Sequence, residues 1–238
     1  MLEVKNLSAT IEEKEILHDF SFHFRPGRTY AIMGPNGSGK STLASAIMGH
    51  PKVIFSRMSK ILVEGENIKN LSPDKRANLG IFLAFQTPLE LSGITVFELL
   101  RLALEKKMKP VELHGLVKKY AEELHIKDEL LKRSLNEGFS GGEKKKLEAL
   151  QAVLLSPRFA LFDEIDTGVD VDALKTISQF LKKYLPKETT TVFITHSTRL
   201  LKYIAPQEVL VIKQGRLVKT GKGALAKKIE EKGFESIK

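Results

Sequence analysis

The stretch GPNGSGKS at residues 34–41 determines the fold class of this chain, because it matches the pattern G-x-x-x-x-G-K-[ST]. It stands between RTYAIM (28–33), which predicts a buried strand, and STLASAIMG, whose apolar spacing predicts a helix. A glycine-rich loop in this position can wrap its N–H groups around phosphate oxygens, and the following helix directs its positive dipole end at the same anion. The sequence therefore predicts a nucleotide-binding site between a strand and a helix.

The residue types of this loop indicate which contacts each position makes. Lys40 is expected to bridge the β- and γ-phosphates, and Ser41 is expected to offer its hydroxyl to Mg²⁺. The nucleotide contacts are predicted to come from Gly34, Pro35, Asn36, Gly37, Ser38, Gly39, Lys40, Ser41 and Thr42. The expected ligands are ATP and Mg²⁺.

Outward from the loop, strand and helix patterns alternate. The short runs LEVKNL and ILHDFSFHF predict a small antiparallel sheet, and KILVEGENI (60–68) predicts an edge hairpin. From about residue 87 to 151 the apolar spacing is helical; then come strand FALFDEI, helix VDALKTISQFLKKYL, strand TTVFITHS and hairpin VLVIKQGRLVKTG. This order predicts an α/β fold, with a parallel-sheet core and a helical lobe, formed by residues 1–238 as a single domain.

Two neighbouring acids stand where the apolar run before them predicts the end of a buried strand. Asp163 is placed to reach the hydration shell of Mg²⁺, and Glu164 is the natural general base or water-orienting group for hydrolysis of a γ-phosphate. His196 ends the run TVFITH and could contact the γ-phosphate from a neighbouring strand. Each residue alone also fits a structural role, because acids often cap helices and a histidine at a strand end often only packs.

Composition excludes several classes of protein. The chain contains no cysteine, which excludes disulfides, thiol catalysis and cysteine metal sites on this chain. No apolar run approaches the length of a membrane span, so direct membrane insertion is not expected, and the N-terminus shows no apolar signal segment. The net charge of +9 is spread over lysine-rich stretches such as Lys144–Lys146, which are expected to be solvated helix faces. No aromatic residues interleave with them, so no nucleic-acid partner is expected.

Taken in order, these motifs resemble those of the ATP-binding cassette (ABC) ATPases. The phosphate loop is followed by Gln86 in LAFQTP, by FSGGEKK (139–145) in place of the LSGGQ signature, by Asp163–Glu164, by TGVD (167–170) and by His196. The resemblance implies the ABC ATPase fold, with a RecA-like parallel core, an N-terminal antiparallel β subdomain and a helical signature subdomain at about 87–151.

The same resemblance implies roles for further residues. Gln86 would serve both catalysis and the metal, beside Ser41 and Asp163 at Mg²⁺, and Glu164, His196 and Lys40 would complete the catalytic set. Ser140, Gly141 and Gly142 would close in trans on the ATP of another subunit, so that ATP holds a transient homodimer together and hydrolysis separates it. Near Ile11 many cassettes carry an aromatic ring that stacks on adenine, and isoleucine offers no such surface.

Among ABC ATPases the chain looks most like the SufC-type ATPases of the SUF iron–sulfur cluster assembly system. DEIDTGVD replaces the DEPTSxLD of transporter cassettes, SGGE replaces SGGQ, and the C-terminal passage from THSTRLL also differs from transporter subunits. This resemblance implies a cytoplasmic location and a complex with SufB/SufD-type scaffold proteins.

Two other functions remain open, as does the setting of the catalytic base. The chain could be the nucleotide-binding subunit of a membrane transporter, gripping a coupling helix near residues 87–100, or a DNA-repair or translation-factor cassette, which only its positive charge favours. The crowding of unlike charges suggests that Lys145 pairs with Glu164 at rest and holds the base away until dimerisation. Asp166 has no assigned chemical role, and Asp172 is expected in the first turn of a helix.

Overall fold

The computed structural model describes residues 2–237 of the chain. Its strands, in chain order, are β1 (Leu2–Ile11), β2 (Lys14–Phe24), β3 (Thr29–Met33), β4 (Ile54–Phe55), β5 (Lys60–Val63), β6 (Glu66–Asn67), β7 (Ile81–Ala84), β8 (Leu91–Thr95), β9 (Ser134–Leu135), β10 (Phe159–Asp163), β11 (Thr190–Ile194), β12 (Glu208–Lys213) and β13 (Arg216–Gly221). Its helices are α1 (Lys40–Met48), α2 (Pro73–Asn78), α3 (Val96–Ala103), α4 (Pro110–Glu123), α5 (Asp128–Lys132), α6 (Gly141–Leu155), α7 (Val171–Tyr184), α8 (Leu201–Ile204) and α9 (Gly223–Lys232).

The central sheet has the strand order β13-β12-β3-β11-β10-β7, and its neighbouring strands run parallel except for the antiparallel pair β12–β13. The apolar strands β10 and β11 are buried along their whole length, which is the pattern of a parallel sheet covered on both faces. Phe162 and Phe193 are partners in this register, and their ring centroids stack 5.0 Å apart. The continuous apolar runs of the sequence therefore form the centre of the molecule.

This strand order brings the carboxyl ends of β3, β11, β10 and β7 side by side. Lys40 follows β3 after the phosphate loop, His196 follows β11, the acids Asp163 and Glu164 lie at the end of β10, and Gln86 follows β7. Parallel strands present their carboxyl ends at one edge of the sheet, where ligands bind in open α/β folds. Residues separated by more than a hundred positions thus meet in one place.

The second sheet is antiparallel and is built around β1, which pairs with β2, β4 and β5. Its buried side chains, among them Leu7 and Phe20, pack in one apolar cluster with Ile32 of the central sheet and Leu43 of α1. The sheet therefore supports the helix that follows the phosphate loop. The predicted antiparallel sheet and the β5–β6 edge hairpin are confirmed.

Helices α3 to α6 and the short strand pair β8–β9 occupy the segment for which helical spacing was predicted. One apolar cluster runs from Leu113 in α4 through Leu150 in α6 to Phe162 in β10. Helix α6 therefore touches both the helical segment and the central sheet. Within residues 2–237, no helix combines the length and the apolar character needed to cross a membrane.

Candidate nucleotide-binding and hydrolysis site

The phosphate loop connects β3 to α1 with a backbone that requires glycine. Gly37 and Gly39 have φ angles of +74° and +100°, and a Cβ on Gly34 would lie 2.2 Å from the carbonyl oxygen of Ile212. Gly39 is the N-cap of α1, so the positive end of this helix dipole lies at the loop. The buried hydroxyl of Ser38 has no hydrogen-bond partner within the described chain. These features fit a cradle for phosphate oxygens.

The turn between β12 and β13 supports this loop from one side. The N–H of Gly215 donates to the carbonyl of Ser38 at 2.9 Å, and the carbonyl of Gly215 accepts from the N–H of His18 at 3.0 Å. A Cβ on Gly215, whose φ is +74°, would lie 2.0 Å from the carbonyl oxygen of Ile16. The turn therefore fits between β2 and the phosphate loop only with glycine at position 215.

Lys40 folds back onto the loop that precedes it. Its ammonium is buried and donates to the carbonyl oxygens of Gly34 at 2.9 Å and Pro35 at 3.0 Å. Burial lowers the pKa of Lys40, and the negative charges of Glu164 and Asp163 oppose that shift. A charged group held in this way lies at the loop, ready to pair with an anion.

Asp163 is buried at the end of β10, and burial raises its pKa to about 6, with the charge of Glu164 adding to the rise. A hydrogen bond with Ser41 acts in the opposite direction. Its other oxygen, Oδ1, is buried without a hydrogen-bond partner in the described residues. A carboxylate and a hydroxyl with free lone pairs are the hard oxygen donors that Mg²⁺ prefers, so Ser41 and Asp163 fit that ion.

Glu164 is held by three side chains at once. Its Oε2 accepts from Gln86 Nε2 at 2.8 Å and from Thr167 Oγ1 at 3.2 Å, and its Oε1 lies 3.3 Å from His196 Nδ1. The residue has a φ of +50°, which is uncommon for a non-glycine residue, and its N–H donates to the carbonyl of Ile194 on β11. The structure thus brings together Glu164, Gln86 and His196, which the sequence analysis placed in the catalytic set.

The signature segment begins α6. Ser140 is the N-cap, its hydroxyl accepts from the N–H of Glu143, and the Glu143 carboxylate accepts from the N–H and hydroxyl of Ser140, both at 2.8 Å. The hydrogen bonds from Ser140 lower the pKa of Glu143. A Cβ on Gly142 would meet open space, whereas one on Gly141 would lie 3.2 Å from the carbonyl of Gly168 in the TGVD loop.

Two predictions about the lysines of α6 are wrong. Lys145 is buried rather than solvated, and it does not pair with Glu164. Its ammonium instead donates to Glu148 Oε2 at 3.1 Å, to Gln86 O at 3.1 Å and to the carbonyl of Phe85. The periodicity of the segment could not reveal this, because two of the three acceptors lie on a loop about sixty residues earlier.

Asp166, to which no role was assigned, links the ends of two neighbouring strands. Its carboxylate is buried and accepts from Thr195 Oγ1 at 2.9 Å, next to His196. Arg199 donates to the carbonyls of Asp166 and Val169, each at 3.3 Å. In the sequence, Asp166 stands out because DEID differs from the DEPT of transporter cassettes at this position. Nothing in the sequence indicates a role for Arg199.

Outside this network, the structure shows where three other positions from the sequence analysis lie. Asp170 is the N-cap of α7, accepting from the N–H of Ala173 at 2.7 Å, and Asp172 lies in the first turn of that helix as predicted. Ile11 is half-buried at the end of β1 and packs against the apolar cluster under the antiparallel sheet. An aliphatic side chain therefore occupies the position where many cassettes have an aromatic ring.

Comparison with known sequences indicates the family of the chain. The family model described as "ABC transporter" matches residues 17–167. A probable ATP-dependent transporter, ycf16, of Trieres chinensis is 42% identical, over 100% of this chain and 98% of its own length. A probable ABC transporter ATP-binding protein of Streptococcus pyogenes serotype M3 is 45% identical, over 100% of this chain and 94% of its own.

Comparison with solved structures supports the architecture. A bacterial ABC transporter cassette solved in dimeric form has a TM-score of 0.79 and 22% identity, and the match covers 93% of this chain and 98% of that one. At this identity the likeness concerns the fold alone. The predicted α/β class, with a parallel core and an antiparallel β subdomain, is confirmed.

Proposed function

The chain belongs to the ABC transporter family, and on that premise we propose that its ATP hydrolysis drives ATP-induced dimerisation and a conformational change in a SUF-type iron–sulfur cluster assembly scaffold. The chain is an ATPase that converts ATP and water to ADP and phosphate, and it takes ATP with Mg²⁺. Hydrolysis is supported by the meeting of Lys40, Asp163, Glu164, Gln86 and His196 at one edge of the sheet. The SUF part of the proposal rests on the resemblance of DEIDTGVD and SGGE to the SufC-type ATPases.

Each residue of this edge would take a defined part in hydrolysis. Lys40 would leave the carbonyls of Gly34 and Pro35 and neutralise charge on the β- and γ-phosphates. Ser41 and Asp163 would hold Mg²⁺, which when bound neutralises the charge that develops on the phosphates. Glu164 would accept the proton of the attacking water, and His196 would orient Glu164 and the terminal phosphate.

We propose that the Gln86 side chain has two positions, one in the resting chain and one in the chain that hydrolyses ATP. At rest its amide donates to Glu164 and occupies one of the two carboxylate oxygens needed by the water. In the active arrangement its carbonyl would turn to Mg²⁺, as the family resemblance implies, and Glu164 would be free to act as base. This assigns the resting chain a low rate of hydrolysis.

The signature residues Ser140, Gly141 and Gly142 would complete the site of a second subunit. Their N–H groups open the fifteen-residue helix α6, and Gly142 faces open space. Among the described residues, no hydrogen bond joins this segment to the phosphate loop of the same chain. A transient, ATP-dependent homodimer would bring the two halves together, and the TGVD loop beside Gly141 would lie at its interface.

A groove of about 750 Å³ beside Gln86 is the proposed docking place for the scaffold. It lies between α2 and β7 on one side and the end of α3 on the other, and Leu79, Phe85 and Leu102 expose apolar surface there. Phe85 directly precedes Gln86, so a partner that binds in the groove and shifts Phe85 would also shift Gln86 at the catalytic edge. We propose SufB/SufD-type proteins as the occupant because DEIDTGVD and SGGE resemble the SufC-type ATPases, which also implies a cytoplasmic complex.

The direct test measures ATPase activity of the purified chain with and without a SufB/SufD-type scaffold. We expect stimulation by the scaffold and co-purification of the two, with Glu164→Gln abolishing hydrolysis while ATP binding persists. Size-exclusion chromatography with light scattering should show Glu164→Gln as a monomer without nucleotide and as a dimer with ATP and Mg²⁺. A scaffold that neither binds nor stimulates the chain would contradict the SUF assignment.

The second candidate is the nucleotide-binding subunit of a membrane transporter. The names of both relatives favour it, since one is called a transporter and the other a transporter ATP-binding protein. The surface near residues 87–100, next to this groove, would then take a coupling helix of a permease. Co-purification with a multi-span permease in place of a scaffold protein would establish this alternative.

A further inference from the structure

Helix α6 carries two buried opposite charges on the face that meets the loop after β7. The side chains of Lys145 and Glu148 are 3% and 7% exposed, and Lys145 Nζ donates to Glu148 Oε2 at 3.1 Å. Neither residue touches the phosphate loop or the acids at the end of β10 through any hydrogen bond in the described chain. Their hydrogen bonds go instead to the backbone of Phe85 and Gln86.

Both side chains grip the same short piece of backbone. Lys145 donates to the carbonyl of Phe85 and, at 3.1 Å, to that of Gln86, so its three ammonium protons are all used. Glu148 Oε1 accepts from the N–H of Phe85 at 2.8 Å. The pair thus holds the amide and the carbonyl of Phe85 together with the carbonyl of Gln86.

Stability alone is a weak reason for this arrangement. Desolvating two charges offsets most of their attraction, and apolar residues of similar volume commonly serve a core equally well. What apolar residues cannot do is fix the position of three backbone polar groups through directional hydrogen bonds. The specific consequence of the pair is therefore the placement of Phe85 and Gln86 relative to α6.

That placement connects two functional points of the chain. Ser140 in the signature is the N-cap of α6, and Lys145 lies in the second turn of that helix. Gln86 donates to Glu164 at 2.8 Å. A continuous path of bonded groups runs from the signature along α6 to the Lys145–Glu148 pair, to the backbone of Gln86, and through its amide to Glu164.

We propose that the buried Lys145–Glu148 pair positions Gln86 and makes it move with the signature end of α6. The inference rests on the proposed ATP-dependent dimer. When the nucleotide of a partner subunit binds at Ser140–Gly142, α6 shifts, the pair carries Phe85 and Gln86 with it, and the Gln86 amide leaves Glu164. Lys145 is thus a positioning residue acting through the loop, not a direct restraint on the base.

The first experiment separates positioning from packing with the double variant Lys145→Met/Glu148→Met. Each single variant leaves one buried charge unpaired and should lower the unfolding midpoint by about 10 °C. The double variant should recover part of that loss, because no charge is left unpaired although three backbone groups lose their partners. The double variant should nevertheless retain a KM for ATP within about twofold and lose about tenfold in kcat. The matched control is Lys146→Met, the next residue on α6. Among residues 2–237, the ammonium of Lys146 donates only to the carbonyl of His125, at 3.5 Å.

A stable double variant with kcat within about twofold of the unaltered chain would overturn the proposal. Should the double variant not fold, Lys145→Arg takes its place, because the larger planar head keeps the charge but cannot place donors on the same three acceptors. The same kcat loss is expected, and an unchanged kcat again overturns the proposal.

The second experiment observes the loop directly. The chain contains no tryptophan, so Phe85→Trp, at an exposed position, introduces a single fluorescent reporter next to Gln86. With a non-hydrolysable ATP analogue and Mg²⁺, the emission change should follow dimer formation measured by light scattering. In the Phe85→Trp chain that also carries Lys145→Met/Glu148→Met, the dimer should form without that emission change.

The outcomes separate this inference from the function on which it rests. If the unaltered chain forms no dimer with nucleotide, the proposed dimerisation fails. If the dimer forms but the reporter does not respond, or responds equally without the ion pair, the coupling through Lys145 and Glu148 fails while the dimer stands.

Discussion

Asp163 is a buried carboxyl whose pKa lies above its ordinary value of 3.8, at about 6. Between these two values the folded chain binds more protons at this residue than the unfolded chain, so the free energy of unfolding falls as pH rises through that window. The shift corresponds to about 3 kcal/mol for the nucleotide-free protein. The chain therefore holds a destabilising charge at neutral pH at the place where it is expected to bind Mg²⁺.

We predict that Asp163→Asn stabilises the nucleotide-free chain by about 2 kcal/mol at pH 7.5 and by less at pH 4.5, because asparagine removes a buried charge that forms as the pH rises through about 6. Urea unfolding at the two pH values, without nucleotide or Mg²⁺, measures the effect. Glu122→Gln, at an exposed position on α4, is the control and should give no such pH-dependent gain. Equal stabilisation at both pH values would contradict the explanation that ionised Asp163 lowers the free energy of unfolding.

At the level of elements, helix α1 is held at its far end by a buried arginine. Arg76 is fully buried and donates to four carbonyls: those of Ala46 and Ile47 in the last turn of α1, and those of Lys69 and Leu71. Burial lowers its pKa to about 10, so the guanidinium stays charged at neutral pH. A cation at the carboxyl end complements the dipole of the helix whose other end faces the phosphate loop.

We predict that Arg76→Met lowers the free energy of unfolding by about 4 kcal/mol, since two buried and two part-buried carbonyls lose their donors. Arg76→Lys should recover only part of the loss, because one ammonium has three donors and no planar fork. Lys75→Met, at the exposed neighbouring position, should change stability by less than about 0.5 kcal/mol. Chemical denaturation of the three variants provides the measurement, and full recovery by lysine would argue against the geometric explanation.

The β12–β13 turn gives a second prediction at this level. Gly215→Ala should lower stability by about 3 kcal/mol or more and weaken ATP binding, because its Cβ would lie 2.0 Å from the carbonyl of Ile16 and force the turn off the phosphate loop. Gly233→Ala is the control, since that glycine has a similar φ of +68° but nothing within 4 Å of its Cβ position. Calorimetric ATP titration and thermal unfolding of both variants distinguish backbone strain alone from loss of loop support.

What the sequence could predict differs between these elements for a physical reason. The phosphate loop, the strand-end acids and His196 could be predicted to lie together, because local chemistry dictates their residue types and parallel strands bring their carboxyl ends to one edge of the sheet. Lys145 was misinterpreted because a run of lysines on a helix normally faces water, and only the backbone of Phe85 and Gln86 shows otherwise. Arg76 was missed because its partners are carbonyl groups, which every residue carries.

Over the whole molecule, the catalytic edge lies between two surfaces that other chains would contact. The signature end of α6 and the TGVD loop face a proposed second subunit, while the groove at Phe85 and Leu102 faces a proposed scaffold. Gln86 stands between them, bonded to Glu164 and held through its backbone by α6. If both proposed contacts form, either one would act on the carboxylate of Glu164 through Gln86.

The groove lined by Leu79, Phe85 and Leu102 leads to a prediction about binding of the scaffold. Leu102 is 64% exposed at the end of α3, and we predict that Leu102→Asp weakens scaffold binding about a hundredfold and removes the stimulation of hydrolysis, because a charge would have to be desolvated against an apolar partner. Val111→Asp on α4, 86% exposed and outside the groove, is the matched control. Titration calorimetry and ATPase rates with and without the scaffold measure both effects. Equal losses from the two substitutions would mean that the partner does not dock in this groove.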